Sequence, residues 1–206
     1  MNSNHPQLIT ARLDKLRPTQ ITVGKREVAL KRKHWNSLNK KGRTAALESH
    51  CFPAIAGPDG KFYIVDHHHF GLALIEEDVK TVSLSLLKDL SFLDLATFWR
   101  TMDFHQWVHP FDSDGVRLGF DAIPTQLSRL NDDPYRSLAG EVRRAGGYAK
   151  DAAPFCEFMW ADFFRPQFSR DLLDTEFDTA LKQAVQLAGA QQARYLPGWT
   201  GVIELV

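Results

Sequence analysis

Residues 52–70 constrain the fold more tightly than any other stretch of the chain. Phe52-Pro53-Ala54-Ile55-Ala56 reads as a strand and Gly57-Pro58-Asp59-Gly60 as a turn. Lys61-Phe62-Tyr63-Ile64-Val65 reads as a second strand, which makes a β-hairpin with a four-residue loop. That strand runs straight into Asp66-His67-His68-His69, and Phe70 to Glu76 has helical character. Three adjacent histidines do not suit a core. Neighbours on a strand point to opposite faces, and on a helix they fan out by about 100° each. What the junction offers is a helix N-terminus, where unpaired N–H groups and the helix dipole favour an anion. A phosphate-binding corner over Asp66–Phe70 is the first reading, with His67, His68 and His69 as added donors. In a second reading Asp66 caps the helix and the histidines are solvated. In a third, His67 and His69 hold a metal with a remote partner; His34, His50, His105 and His109 are available for that.

Around this junction the pattern is mixed at first and helical later. Ile9 to Leu16 alternates as a short strand and stops at Arg17-Pro18. Thr22 is placed to cap a helix over 25–38, which Lys40-Lys41-Gly42-Arg43 breaks before one further turn over 44–50. Val79 to Leu86 alternates as another strand. From Ser91 onward, helices are predicted over 92–107, from Pro124 to Leu130, from Pro134 to Gly146, over 155–164 and over 171–187. Asp132 or Asp133 caps the third of these. The expected class is α+β, with a small mixed-sheet part over 1–90 and a mostly helical part over 91–206. No Pro/Gly/Ser-rich linker separates them, so one compact body is expected.

Charge decides which partners are open. The 206 residues hold 25 Lys+Arg and 25 Asp+Glu, which argues against a wholly basic nucleic-acid binder. The balance is uneven: residues 12–43 hold eleven Lys/Arg against Asp14 and Glu27, a local excess of nine. Nucleic acid or another polyanion would therefore meet the basic segment 12–43. Residues 104–206 hold ten Lys/Arg and fourteen Asp/Glu, which opposes DNA phosphates. Cys51 and Cys156 show no metal spacing and read as free thiols. The first residues carry no signal-peptide pattern, and no run of about 18 apolar residues occurs. A cytoplasmic protein without a membrane span is expected.

The order strand, Gly-Pro-Asp-Gly turn, strand, Asp-His-His-His and helix resembles the ParB/sulfiredoxin superfamily, many of whose members carry an Asp-Gly-His-His-Arg or Gly-Glu-Arg-Arg-like motif at this junction. Leu16-Arg17-Pro18-Thr19-Gln20 is similar to the first segment of ParB-type domains. More narrowly, the chain resembles the ParB-like nuclease family. That resemblance rests on Leu-Arg-Pro-Thr-Gln, Val23-Gly24-x-x-Glu27-Val28 and Val65-Asp66-His67-His68-His69, and on residues 132–139 and 160–165. It implies a nucleotide or other phosphate-containing ligand at the strand-to-helix corner, since the superfamily includes DNA-partition CTPases, ATP-using sulfiredoxins and free-serine kinases. Two departures matter. The arginine that usually follows the paired histidines is replaced by His69 and Phe70, which removes a permanent charge. Neither cysteine occupies the corner, which argues against sulfiredoxin-type thiol chemistry.

The resemblance gives the candidate residues their roles. Gln20, Lys31, Asp66, His67, His68, His69 and Phe70 would contact a nucleoside di- or triphosphate, with Mg²⁺ as an accompanying cation. Glu27, the one carboxylate of the basic stretch after Asp14, would act with the three histidines as a base or Mg²⁺ anchor; its other reading is an ion-paired surface residue. Asp132, Asp133, Tyr135 and Arg136 read as a cap and tie. Asp162 and Arg165 are open to a place in the cleft, and the aromatic residues of 155–164 suit a core. The expected function is phosphoryl chemistry, as a nuclease or a nucleotide-dependent phosphotransferase or kinase. The alternative is a non-catalytic nucleotide-binding or DNA-partition-type module.

Overall fold

The computed structural model describes residues 7–201. The first elements are β1 (Gln7–Arg12), β2 (Thr22–Val23), α1 (Lys25–Ser37), α2 (Lys40–Ser49), β3 (Phe52–Gly57), β4 (Lys61–Ile64) and α3 (His68–Glu76). They are followed by β5 (Thr81–Asp89), α4 (Leu95–Phe104), β6 (Asn131–Asp132), α5 (Pro134–Arg144), α6 (Cys156–Phe164), α7 (Arg170–Thr175) and α8 (Phe177–Gly189). The class is α+β. The chain divides into two compact units, and each is built from separated segments. The first takes residues up to Ile21, Val28–Phe111 and Arg117–Asn131; the second takes Thr22–Glu27, Asp112–Val116 and the chain from Asp132 onward.

The first unit holds a four-stranded sheet in the order β1-β5-β3-β4. β5 pairs antiparallel with β1 and parallel with β3, and β3 pairs antiparallel with β4. The hairpin forms where its turn residues demand it. Asp59 (φ 59) and Gly60 (φ 64) both take left-handed backbone, a conformation that glycine adopts freely and aspartate tolerates. Past β4, the chain at Arg17 adds one parallel bridge beside Tyr63. Arg17 N–H donates to Phe62 at 2.9 Å, and its carbonyl accepts from Ile64 at 3.0 Å. One face of this sheet is closed by Ile21, Ile55, Tyr63, Phe98, Met102, Val108 and Ile123 in a single apolar cluster.

The second unit is helical. α5, α6 and α8 surround Trp160, which stacks on Tyr148 at 4.1 Å, and a stripe of Ala180, Ala184 and Ala188 lets helices approach closely. α5 begins at Pro134 behind Asp133, whose Oδ1 accepts from Tyr135 N–H (2.9 Å) and Arg136 N–H (3.2 Å).

Four local expectations change. Thr22 does not cap α1; it lies in β2. The first N–H groups of α1 are met instead by side chains distant in sequence, Asp132 Oδ1 on Lys25 (2.8 Å) and Ser137 Oγ on Arg26 (3.3 Å). Lys40 to Arg43 do not break a helix but open α2, because Asn39 caps it by accepting from Gly42 N–H at 2.9 Å. The helix expected from Pro124 to Leu130 is reduced to a 3-10 turn at Leu127–Arg129, since Asn131 N–H is drawn away to the Ile21 carbonyl. The helix expected over 171–187 is two, divided where Glu176 leaves helical dihedrals (φ −133, ψ 46).

Candidate functional site

The corner after β4 is built by hydrogen bonds that stop the strand and start the helix within three residues. Val65 N–H donates to the Pro53 carbonyl at 3.0 Å, the last tie to the hairpin. Asp66 Oδ1 then accepts from His67 N–H at 2.6 Å, so this aspartate holds the turn rather than capping the helix. His67 itself is the N-cap residue, in left-handed backbone (φ 65), and no side chain caps α3. Helical bonding begins with Gly71 N–H on the His67 carbonyl at 2.8 Å. An N-terminus without a side-chain cap presents backbone N–H groups and the positive end of the dipole to whatever anion approaches.

The three histidines divide into different roles. His68 and His69 are buried, at 4% and 8% exposure, while His67 is half-buried. Two adjacent buried histidines run against the expectation of solvated rings, and His68 shows the physical reason. Its Nε2 accepts from Thr19 N–H at 3.1 Å, so the proton of the neutral ring sits on Nδ1. Thr19 Oγ1 in turn donates to the Ile64 carbonyl at 2.9 Å. Burial lowers the His68 pKa from 6.5 to about 3, against a smaller opposing pull from Asp66. The ring is therefore neutral near pH 7. It locks the segment Thr19-Gln20 onto the start of α3.

Around the helix end stand aromatic rings. Phe70 lies 5.3 Å from His50 and stacks on Phe52 at 5.9 Å with planes 9° apart. His67 meets Phe52 edge-on at 5.7 Å and lies 6.1 Å from His50. His50 is exposed and Phe70 half-buried, so the rim of the corner is aromatic. Sequence reasoning counted His50 only as a remote metal ligand. Its place beside the corner follows from α2 ending at Ser49, immediately before β3. Among the described residues, no three His, Cys, Asp or Glu side chains gather as a metal site.

The remaining candidates are placed as follows. Gln20 is buried and bridges to His109, whose N–H donates to the Thr19 carbonyl at 2.8 Å. Lys31 lies half-buried on the part of α1 that belongs to the first unit. Glu27 belongs to the second unit, where its Oε2 lies 3.3 Å from Arg136 Nη1, with both side chains nearly covered (12% and 8% exposed). Arg165 does not stand free either. It reaches Asp133 Oδ2 and Asp162 Oδ1, each at 3.1 Å, and donates to the Ser113 carbonyl. Several cations of the basic segment also have protein partners. Arg32 pairs with Glu76 (2.9 Å) and Glu77 (2.8 Å), Arg26 lies 3.7 Å over the Phe177 ring, and Arg43 faces Trp35.

Comparison with known proteins agrees with this architecture. Residues 9–166 match the family described as "Putative ParB-like nuclease". Among solved structures, the crystal structure of protein Atu1540 from Agrobacterium tumefaciens is 48% identical, with a TM-score of 0.90 over 97% of this chain and 100% of that one. No curated protein matches. No helix among the described residues is long and apolar enough to cross a membrane. The match spans more than half of the chain, through both the hairpin-to-α3 junction and the helices that follow, and the chain belongs to the ParB-like nuclease family.

Proposed function

We propose that the Asp66–Phe70 corner binds the phosphates of a nucleotide, and that the protein carries out phosphoryl chemistry on that ligand or on nucleic acid in the cytoplasm. One observation carries the reading: α3 starts without a side-chain cap, directly after a strand, at a corner rimmed by His50, His67 and Phe70. Backbone N–H groups suit phosphate oxygens, and exposed ring faces suit a base. His67 is the histidine best placed to add a donor, since His68 is spent on Thr19. Asp66 is the carboxylate nearest in sequence for an accompanying Mg²⁺, which characteristically takes one or two carboxylates besides phosphate oxygens.

The test is a thermal-shift and calorimetric screen of nucleoside di- and triphosphates, with and without Mg²⁺, on the wild type and on His67→Asp. Aspartate tolerates left-handed backbone and puts a negative charge at the helix start. Binding should fall at least tenfold in the variant with no loss of melting temperature. Wild-type protein that no nucleotide stabilises, or a variant that binds equally well, would overturn the reading.

Glu27 enters the proposal as base or Mg²⁺ anchor, but its contact with Arg136 favours a second reading, in which the ligand is bound without turnover. Glu27→Gln separates the two. A catalytic Glu27 predicts loss of nucleotide hydrolysis or DNA nicking with binding retained. A purely structural Glu27 predicts retained activity, where there is any, and a lowered melting temperature.

A further inference from the structure

A cleft in the first unit lies apart from the histidine corner. It has a volume of about 500 Å³ and opens between the end of β1 with the turn that follows it, the start of β4, and the segment at Thr125. Lys61 begins β4 and the histidines follow its far end, so the length of the strand, roughly 10 Å or more, separates Lys61 from them; Arg17, which also lines the cleft, lies two residues before Thr19, the partner of His68.

The charged residues lining this cleft are Arg12, Lys15, Arg17 and Lys61, with Asp14 the one carboxylate. Asp14 is already engaged: Arg12 Nε and Nη2 donate to its two oxygens at 3.0 and 2.7 Å. That fork accounts for one cation and one anion. Lys15 adds a through-space pull on the same Asp14, and Arg17 and Lys61 stand beyond that pairing, so four cations share one carboxylate. Arg17 is nevertheless held in position, because its Nη1 donates to the Thr125 carbonyl at 2.7 Å and leaves the rest of the guanidinium to a ligand. Lys15 and Lys61 are exposed and reach the same space from different segments.

Four cations against one carboxylate in one cleft repel each other unless a further anion joins them, and a concave wall concentrates their field. Ligand pockets of roughly 300–1,000 Å³ are usually lined mainly by apolar side chains. This one is not, which turns the expected ligand from an apolar molecule to a multiply charged one. A planar guanidinium fixed at one nitrogen suits the paired oxygens of a phosphoryl group, with the two ammonium groups as point charges beside it. We propose that this cleft is a phosphate-ester site, taking the phosphate of a free nucleotide or of a nucleic-acid strand. It also gives part of the basic segment a destination that the ion pairs of Arg32 and the ring contacts of Arg26 and Arg43 do not.

The experiment uses the full chain and two probes: a fluorescent single-stranded oligonucleotide followed by anisotropy, and a mononucleotide followed by calorimetry. The Lys15→Gln/Lys61→Gln double variant changes only exposed side chains and should weaken binding of the responding probe at least tenfold. With the oligonucleotide, the slope of log affinity against log salt should become shallower by about 0.7 for each lysine removed. A response to the oligonucleotide alone assigns the strand as the source, and a response to the mononucleotide alone assigns the free ligand. Arg17→Lys keeps the charge but loses the fork, and should weaken binding with an unchanged salt slope. Measured on the His67→Asp background, in which the helix corner is disabled, the binding that remains should still fall at least tenfold with Lys15→Gln/Lys61→Gln, which distinguishes the cleft from the helix corner. Wild-type protein that binds neither probe, or a double variant that binds both as the wild type does, overturns the proposal.

Discussion

Neutral His68 makes the stability of the protein sensitive to acid. The folded ring protonates only near pH 3, whereas the unfolded one does so near 6.5. Between those values the unfolded chain binds a proton that the folded chain refuses. The contribution is whole above about pH 6.5 and is lost as pH falls toward 3, at up to roughly 1.4 kcal/mol per unit. Urea unfolding at pH 7.5, 6.0 and 5.0 should show this slope in the wild type and a flatter one in His68→Gln, whose amide oxygen still accepts from Thr19. Equal slopes would place the acid sensitivity elsewhere. Asp133 gives the second residue-scale prediction. It is buried, caps α5 and pairs with Arg165; burial pushes its carboxyl up, and Arg165 with the two N–H donors opposes that. Asp133→Ala removes the cap and leaves Arg165 partly uncompensated, at a cost of about 2–4 kcal/mol. Asp133→Asn keeps the cap and should cost less than half as much. Chemical denaturation of both variants tests the order.

Elements here meet through gaps left for backbone. A Cβ at Gly24 would stand 2.8 Å from both the N and Oγ of Ser137 at the start of α5. Gly24→Ala should therefore cost about 1–3 kcal/mol, because a backbone nitrogen cannot rotate away as a side chain can. A melting temperature within a degree of wild type would show that α5 yields. This contact explains the glycine of Val-Gly-x-x-Glu-Val without recourse to a ligand. The glutamate of the same segment, Glu27, likewise has a partner on α5 in Arg136. The segment's spacing thus fits one unit's packing, and the Glu27→Gln assay decides whether Glu27 also acts on a ligand.

At the scale of the molecule, the first unit cannot be completed by the first 90 residues. Phe98, Met102, Val108 and Ile123 close the sheet face that carries Ile55 and Tyr63. A fragment ending at Lys88 would expose that face and also lose the end of β5, the strand between β1 and β3. Such a fragment should be insoluble or should unfold without a cooperative urea transition. A soluble fragment with a sharp transition and native near-ultraviolet dichroism would contradict this. Sequence-continuous halves were a natural expectation from the change in character near Ser91, but the units are interleaved.

What the sequence determined by itself is what short-range chemistry controls. The hairpin from Phe52 to Ile64 follows from alternation and a turn with two left-handed positions, and α5 follows from Asp133 before Pro134. The strand-to-helix corner was legible for the same reason, since Asp66 and the histidines sit at a change of period. Tertiary structure alone decided the rest. Asp132 reaches across 107 positions to cap α1, which local sequence had assigned to Thr22. The break at Glu176 has no glycine or proline to announce it. Three equal histidines became unequal because Thr19, 49 residues away, donates to one of them and closes the protein around it. A hydrogen bond between distant residues leaves no periodicity in the chain, and burial, which sets the charge of an imidazole, belongs to the fold rather than to the residue.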